Sequence, residues 1–169
     1  AGIEAAVMSG LGHLTSFTGS ETIPALEAAE EYYNADADSE LLAGTVPATE
    51  HSVMCAGGME DEFETFKRLI TEIYPTGIVS IVSDTWDFWQ VITEYMPRLK
   101  DTIMSRDGRV VVRPDSGDPV KIICGDPEAD PNSPEYKGAY QLLGEIFGTT
   151  VNEKGYKVLD THIGLIYGD

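Results

Sequence analysis

The chain has 169 residues, 42% of them hydrophobic, enough to bury a core. Its 11 basic and 29 acidic side chains give a formal net charge of −18. That argues against nucleic acid as a partner, because a phosphate backbone needs a basic face. No apolar run approaches the ~18 residues of a membrane span, and no basic-then-apolar leader is present. The expectation is a protein with no membrane partner and a cytoplasmic location. Cys55 and Cys124 form no CxxC pair and read as small buried hydrophobes in a reducing compartment.

In chain order, the opening Ala1-Gly2-Ile3-Glu4-Ala5-Ala6 reads as helix. Residues 13–18 read as a first strand that runs into Gly19-Ser20-Glu21. A helix is expected over 22–33, with Thr22 as cap, Pro24 in its first turn and Asn34 to close it. A polar connection over 34–44 leads to a short strand at 45–48, which runs into Thr49-Glu50-His51. The clearest helix is 59–74: Phe63, Phe66, Ile70 and Ile73 share a face, and Glu60, Asp61 and Glu62 suit its N-terminal end. Pro75-Thr76-Gly77 turns into strand 78–82, which ends on Ser83-Asp84. Over 85–95, Phe88, Val91, Ile92 and Tyr95 fall at helical spacing as a core stripe, with Pro97 following.

Strand 109–112 runs into Arg113-Pro114-Asp115-Ser116-Gly117. Residues 125–134 form a loose loop, and a helix is expected from 135 to 147 with Gly148 after it. Residues 151–161 show no readable period. A last strand over 163–167 meets Gly168-Asp169. A start inside a helix without an initiator Met, and a stop where a strand meets its loop, lead to the expectation of an internal piece of a longer protein. Residues 1–169 are then one incomplete domain.

Strands alternating with helices imply an α/β fold with a parallel sheet, and ligands bind at the carboxyl ends of such strands. About five strand–helix units are too few for a closed barrel of eight. The rim gathers Glu21, His51, Asp84, Arg113, Asp115 and Asp169: carboxylates, an imidazole and a guanidinium together. Arg113 follows three valines, so its backbone is rigid and its planar fork suits phosphate. Asp115 can accept from sugar hydroxyls or reach a metal ion. The plainer reading is an Arg113–Asp115 ion pair that closes a loop. His51 at a strand end can serve as base, phosphoryl acceptor or metal ligand, with Asp84 accepting from its Nδ1–H. Asp84 also reads as a helix N-cap. His13 and His162 have no assigned role. Gly168 lets a ligand approach the backbone, and Asp169 suits vicinal hydroxyls. The set describes a pocket for a phosphorylated sugar.

Val46-Pro47-Ala48-Thr49-Glu50-His51-Ser52, Ser80-Ile81-Val82-Ser83-Asp84, Arg113-Pro114-Asp115-Ser116-Gly117, Lys154-Gly155-Tyr156-Lys157 and Gly168-Asp169, in this order, resemble the bacterial-type nicotinamide phosphoribosyltransferases. The likeness covers nearly the whole chain and matches the central portion of these longer enzymes. It implies a partial (β/α) barrel of the type II phosphoribosyltransferase kind and a homodimer in the full-length protein. It implies transfer from 5-phosphoribosyl 1-diphosphate to nicotinamide, giving nicotinamide mononucleotide and diphosphate in NAD biosynthesis. Mg²⁺ is the implied metal, with no ligands assigned, and ATP the coupled substrate through a phosphohistidine. By position, the resemblance makes His51 the phosphohistidine and a diphosphate contact, and Asp84 its orienting carboxylate. Arg113 contacts diphosphate and nucleotide. Pro114, Asp115, Gly168 and Asp169 line the nucleotide, and Ser80 lies near the carboxamide. Glu21 stands where these enzymes usually carry Asp. Competing readings are the sister nicotinate enzyme and an inert fragment or interaction module. The glycine-rich phosphate loop and the ring-flanking aromatic and arginine have no counterpart here, so the 169 residues alone are expected to be inactive.

Overall fold

A computed structural model describes residues 2–168. The chain forms two compact units, one up to Val46 and one from Pro47 onward.

The first unit is a helical hairpin of α1 (Ile3–Leu14) and α2 (Ile23–Tyr33). The helices pack where Gly10 meets Ala25: a Cβ on Gly10 would lie 2.6 Å from the Ala25 Cβ. Ala25 and Ala28 are buried at this crossing. Asn34 ends α2 in the left-handed conformation (φ 54°), as its place in the sequence suggests. The strand expected over 13–18 does not form. Its first residues complete α1, and His13 Nε2 reaches the Gly19 carbonyl at 2.8 Å. A 12-residue helix packed on a second helix outweighs three or four residues of β preference, even with Gly10 and Gly12 inside it. Only a single parallel bridge, Gly19 to Gly44, remains of the expected pairing.

The second unit is built on a three-stranded parallel sheet in the order β1 (Gly77–Val82), β2 (Gly108–Arg113), β5 (Ile163–Leu165). Its register pairs Val79 with Val110, Ile81 with Val112, and Val110 with Ile163. The strand expected over 45–48 shrinks to one parallel bridge, Ala48 to Ser80, on the free edge of β1. There Thr49 N donates to Ser80 O at 2.9 Å, and Ser80 N donates to Pro47 O at 2.8 Å. Pro47 has no N–H, so it suits an edge and not a ladder. Three of the five expected strands are therefore regular. The residues of β1 from Val79 to Val82 are buried without alternation, the mark of a parallel strand covered on both faces.

Helices wrap this sheet. A 3₁₀ turn (Met59–Asp61), α4 (Glu62–Arg68) and a π segment (Leu69–Ile73) form one continuous rod. Phe66 and Ile70 are buried as the periodicity predicts, but Ile73 is 50% exposed. The wide π turn rotates the residues after it away from the α-helical face. The aromatic stripe Phe88, Val91, Ile92, Tyr95 is core throughout. Its helix does not stop at Pro97: α5 (Phe88–Gln90) and a π segment (Val91–Tyr95) continue into α6 (Met96–Met104). Pro97 follows the π segment directly inside this continuing helix, so its missing N–H falls where the regular α-helical ladder is already interrupted.

The loop 125–134 is observed as a loop. It is preceded by α7 (Pro119–Cys124), which the sequence did not announce; Asp118 Oδ1 caps it by accepting from Val120 N at 2.9 Å. After the loop comes α8 (Pro134–Phe147), broken at Gly138 (φ 76°). Residues 151–161, which carry no period, supply part of an antiparallel hairpin, β3 (Thr149–Val151) with β4 (Lys157–Leu159). Its turn is held by Asn152, whose Oδ1 accepts from Lys154 N at 3.0 Å and Tyr156 N at 2.9 Å. Both cysteines are exposed, not buried. Each ends a helix of five or six residues that turns a neighbour inward instead: Met54 is buried, and Ile122 packs partly on the core. Among the described residues no helix is long and apolar enough to cross a membrane.

Candidate functional site

The carboxyl ends of β1 and β2 converge on four segments: 49–51, 83–85, 113–116 and Gly168. Thr49 anchors the first. It is buried, its Oγ1 accepts from Val82 N at 3.0 Å, and its carbonyl accepts from Arg113 Nη2 at 2.9 Å. His51 follows as the first residue of α3 (His51–Cys55). Its side chain is 44% exposed, open to a ligand yet tied at both ring edges. Nδ1 lies 3.1 Å from Thr85 Oγ1, while Nε2 lies 3.3 Å from Asp115 Oδ2 and 3.8 Å from Asp84 Oδ1.

Asp84 is nearly buried, with 6% side-chain exposure. Its Oδ2 accepts from Asp115 N at 2.8 Å and from Ser116 Oγ at 2.6 Å. Its Oδ1 is buried without a hydrogen bond and faces His51. Asp84 thus does two things: it fixes the loop after β2 and points one oxygen at the imidazole. The sequence reading placed it at Nδ1, whereas the structure places it on the Nε2 side. Nor does it cap a helix; Asp87 does, accepting from Trp89 N and Gln90 N at 3.0 Å.

Arg113 closes β2 with its side chain only 16% exposed. Its ion pair is with Glu50, Nη2 to Oε1 at 3.3 Å, rather than with Asp115. Glu50 is 67% exposed, and such a surface pair is weak, so an arriving anion can replace the carboxylate. Arg113 Nε is buried without a partner. The backbone beneath is firm, because Ser83 N donates to Arg113 O at 2.8 Å and extends the β1–β2 ladder. Gly168 N donates to Pro114 O at 3.0 Å. A Cβ on Gly168 would collide with Asp115 Oδ1, so the glycine admits the Asp115 carboxylate beside the chain.

Of the residues singled out in the sequence, the structure brings together His51, Asp84, Arg113, Pro114, Asp115 and Gly168. Ser80 is buried inside β1 at 6% exposure. Glu21 belongs to the first unit, where no strand precedes it and its Oε1 accepts from Thr45 Oγ1 at 2.7 Å. Asp169 lies outside the described residues. Sequence reasoning gave Thr49 and Glu50 no role of their own within their motif, read Ser116 only as a source of backbone N–H, and missed Thr85. The signal for Thr85 is a hydroxyl adjoining a rim residue, a pattern too common to stand out.

The chain matches the nicotinate phosphoribosyltransferase (NAPRTase) family over residues 2–169. It is 59% identical over 174 residues to a nicotinamide phosphoribosyltransferase of Acinetobacter baylyi, covering 99% of this chain and 34% of that protein. It is 38% identical over 167 residues to a protein of the same name from Mycoplasma pneumoniae, covering 99% of this chain and 34% of the relative. A third relative of that name, from Xanthomonas campestris, is 35% identical over 166 residues, covering 97% and 32%. The chain spans about a third of the length of the curated relatives it matches. Matched along almost its full length, the chain belongs to the nicotinate phosphoribosyltransferase family.

Proposed function

We propose that the full-length protein transfers the phosphoribosyl group of 5-phosphoribosyl 1-diphosphate to nicotinamide. The products are nicotinamide mononucleotide and diphosphate, in NAD biosynthesis. The observation that carries this reading is the single rim on which His51, Asp84, Asp115 and Arg113 meet. Departure of diphosphate from an anomeric carbon builds positive charge on the ribose, and nearby carboxylates stabilise it. The leaving group is an anion suited to the planar fork of Arg113. The names of the relatives favour nicotinamide over nicotinate. In this reading Ser80 serves the carboxamide, and Pro114, Gly168 and Asp169 the nucleotide.

His51 is the proposed link to ATP. A ring nitrogen takes the terminal phosphoryl group, the P–O bond to ADP breaks, and ADP leaves with its electron pair. The ring N–H proton passes to a facing carboxylate; water later returns the phosphoryl group as phosphate. Mg²⁺ fits here, since the unpaired, buried Asp84 Oδ1 and the Asp115 carboxylate are hard oxygens. When bound it neutralises phosphate charge. The reading extends to a cytoplasmic homodimer. It also takes residues 1–169 as part of an irregular α/β barrel.

The test is synthesis by the purified full-length protein with either pyridine, with and without ATP. Nicotinamide mononucleotide as main product, stimulated by ATP, is expected. His51→Ala should abolish the stimulation while slow uncoupled synthesis remains. Product from nicotinate alone would move the assignment to the sister reaction, and product from neither pyridine would overturn it.

A further inference from the structure

We propose that Thr85 is a positioning residue for His51, its hydroxyl holding the Nδ1 edge of the imidazole so that Nε2 faces the gap between Asp84 and Asp115. The proposal rests on the phosphoryl-relay reading of His51 and assigns a role to a residue outside the rim motifs.

An imidazole can turn about its Cβ–Cγ bond and exchange its two edges unless something distinguishes them. Packing does not do so here. His51 opens a helix of only five residues, and 44% of its side chain is exposed. The distinction comes from polar neighbours. Two carboxylates stand on the Nε2 side, at 3.3 and 3.8 Å. A carboxylate only accepts, whereas the Thr85 hydroxyl, 3.1 Å from Nδ1, can donate or accept, so the two edges of the ring meet different partners. A methyl group in place of the hydroxyl would release the ring.

Thr85 is well placed for this work. Its β-branched side chain has restricted χ1 freedom. The short link that carries it is fixed on both sides. Before it, Ser83 N bonds Arg113 O at 2.8 Å and Asp84 bonds the loop after β2. After it, Asp87 caps α5. Thr85 therefore connects the end of β1 to the orientation of a side chain at the start of α3.

The test uses the full-length protein and two variants. Thr85→Val keeps the branched shape and removes the hydroxyl; Thr85→Ser keeps the hydroxyl. Phosphohistidine formation from γ-labelled ATP is measured beside thermal melting, and ¹⁵N–¹H correlation spectra of histidine-labelled protein report the His51 tautomer. Thr85→Val should slow phosphohistidine formation roughly tenfold, the effect of one ordinary hydrogen bond, and mix the tautomers without a matching change in melting. Thr85→Ser should behave like the wild type. Equal rates in Thr85→Val and wild type, or equal impairment in both variants, would overturn the proposal. So would a wild-type ring that populates both tautomers equally, a measurement that needs no variant. Absence of phosphohistidine in the wild type would defeat the relay reading instead; the tautomer spectra of wild type and Thr85→Val would still decide the role of Thr85.

Discussion

At the scale of single residues, two side chains put the physical reading at risk. Arg113 uses one nitrogen on Thr49 O and Glu50 and leaves Nε buried without a partner. Arg113→Lys keeps the charge but loses the fork. In the full-length protein it should weaken binding of the diphosphate-bearing sugar by roughly tenfold or more, while stability falls by about 1 kcal/mol. Calorimetric titration showing unchanged affinity would rule this out. Glu62 is the other. It is 1% exposed, no cation among the described residues pairs with it, and burial raises its pKa from 4.5 to about 7, opposed by the neighbouring Tyr95 hydroxyl and reinforced by Asp87. The folded state thus binds its proton more tightly than the unfolded chain. The sign follows: Glu62 imposes no penalty below pH ~4.5, a growing one up to pH ~7, and a full one above, roughly 3 kcal/mol. Glu62→Gln should melt progressively higher than wild type as pH rises across that window. A constant difference in melting temperature from pH 4 to 8 would refute it.

At the scale of elements, the junction between the helix ending at Ile73 and β1 depends on one buried cation. Arg106, 7% exposed, donates to the carbonyls of Ile70, Tyr74 (2.7 Å) and Gly77 (3.2 Å). A π segment leaves carbonyls that the α-helical ladder does not satisfy, and Arg106 takes them up. Arg106→Leu strips the donors and leaves buried carbonyls unsatisfied, so it should cost about 3 kcal/mol or more. Denaturant unfolding that shows less than about 1 kcal/mol would mean that water replaces the guanidinium. The helices 59–74 and 85–95 were legible because their apolar residues recur at helical spacing. The π turns were not, since one extra residue per turn leaves no local signature. Strands 13–18 and 45–48 looked like their neighbours in composition. They failed as strands because the first is absorbed into α1 and the second meets the sheet at a single bridge.

At the scale of the whole chain, the net charge of −18 acts on everything at once. Excess like charge opposes compaction, and salt screens it beyond a Debye length of ~10 Å at 0.1 M. Raising salt from roughly 20 to 300 mM should therefore raise the melting temperature by a few degrees, about 1 kcal/mol of relief for a domain of this size. A melting temperature that falls with salt would show that attractive ion pairs outweigh the repulsion.

The sequence by itself determined the α/β class, the two long helices, the β1 and β2 runs, and the rim at their ends. Each follows from local chemistry: valine and isoleucine runs, helical periodicity, and reactive side chains where a run stops. It also led to Arg113, Asp115 and His51 lying together on one rim, because the first two follow the end of β2 and the segment before His51 bridges the edge of β1. Tertiary structure alone decided who touches whom. It gave Arg113 to Glu50, turned His51 Nε2 toward Asp84 and Asp115, and set Thr85 against Nδ1. It left both cysteines exposed and buried Glu62. These outcomes depend on distances between residues far apart in the chain, which sheet register and helix packing set and no local pattern encodes.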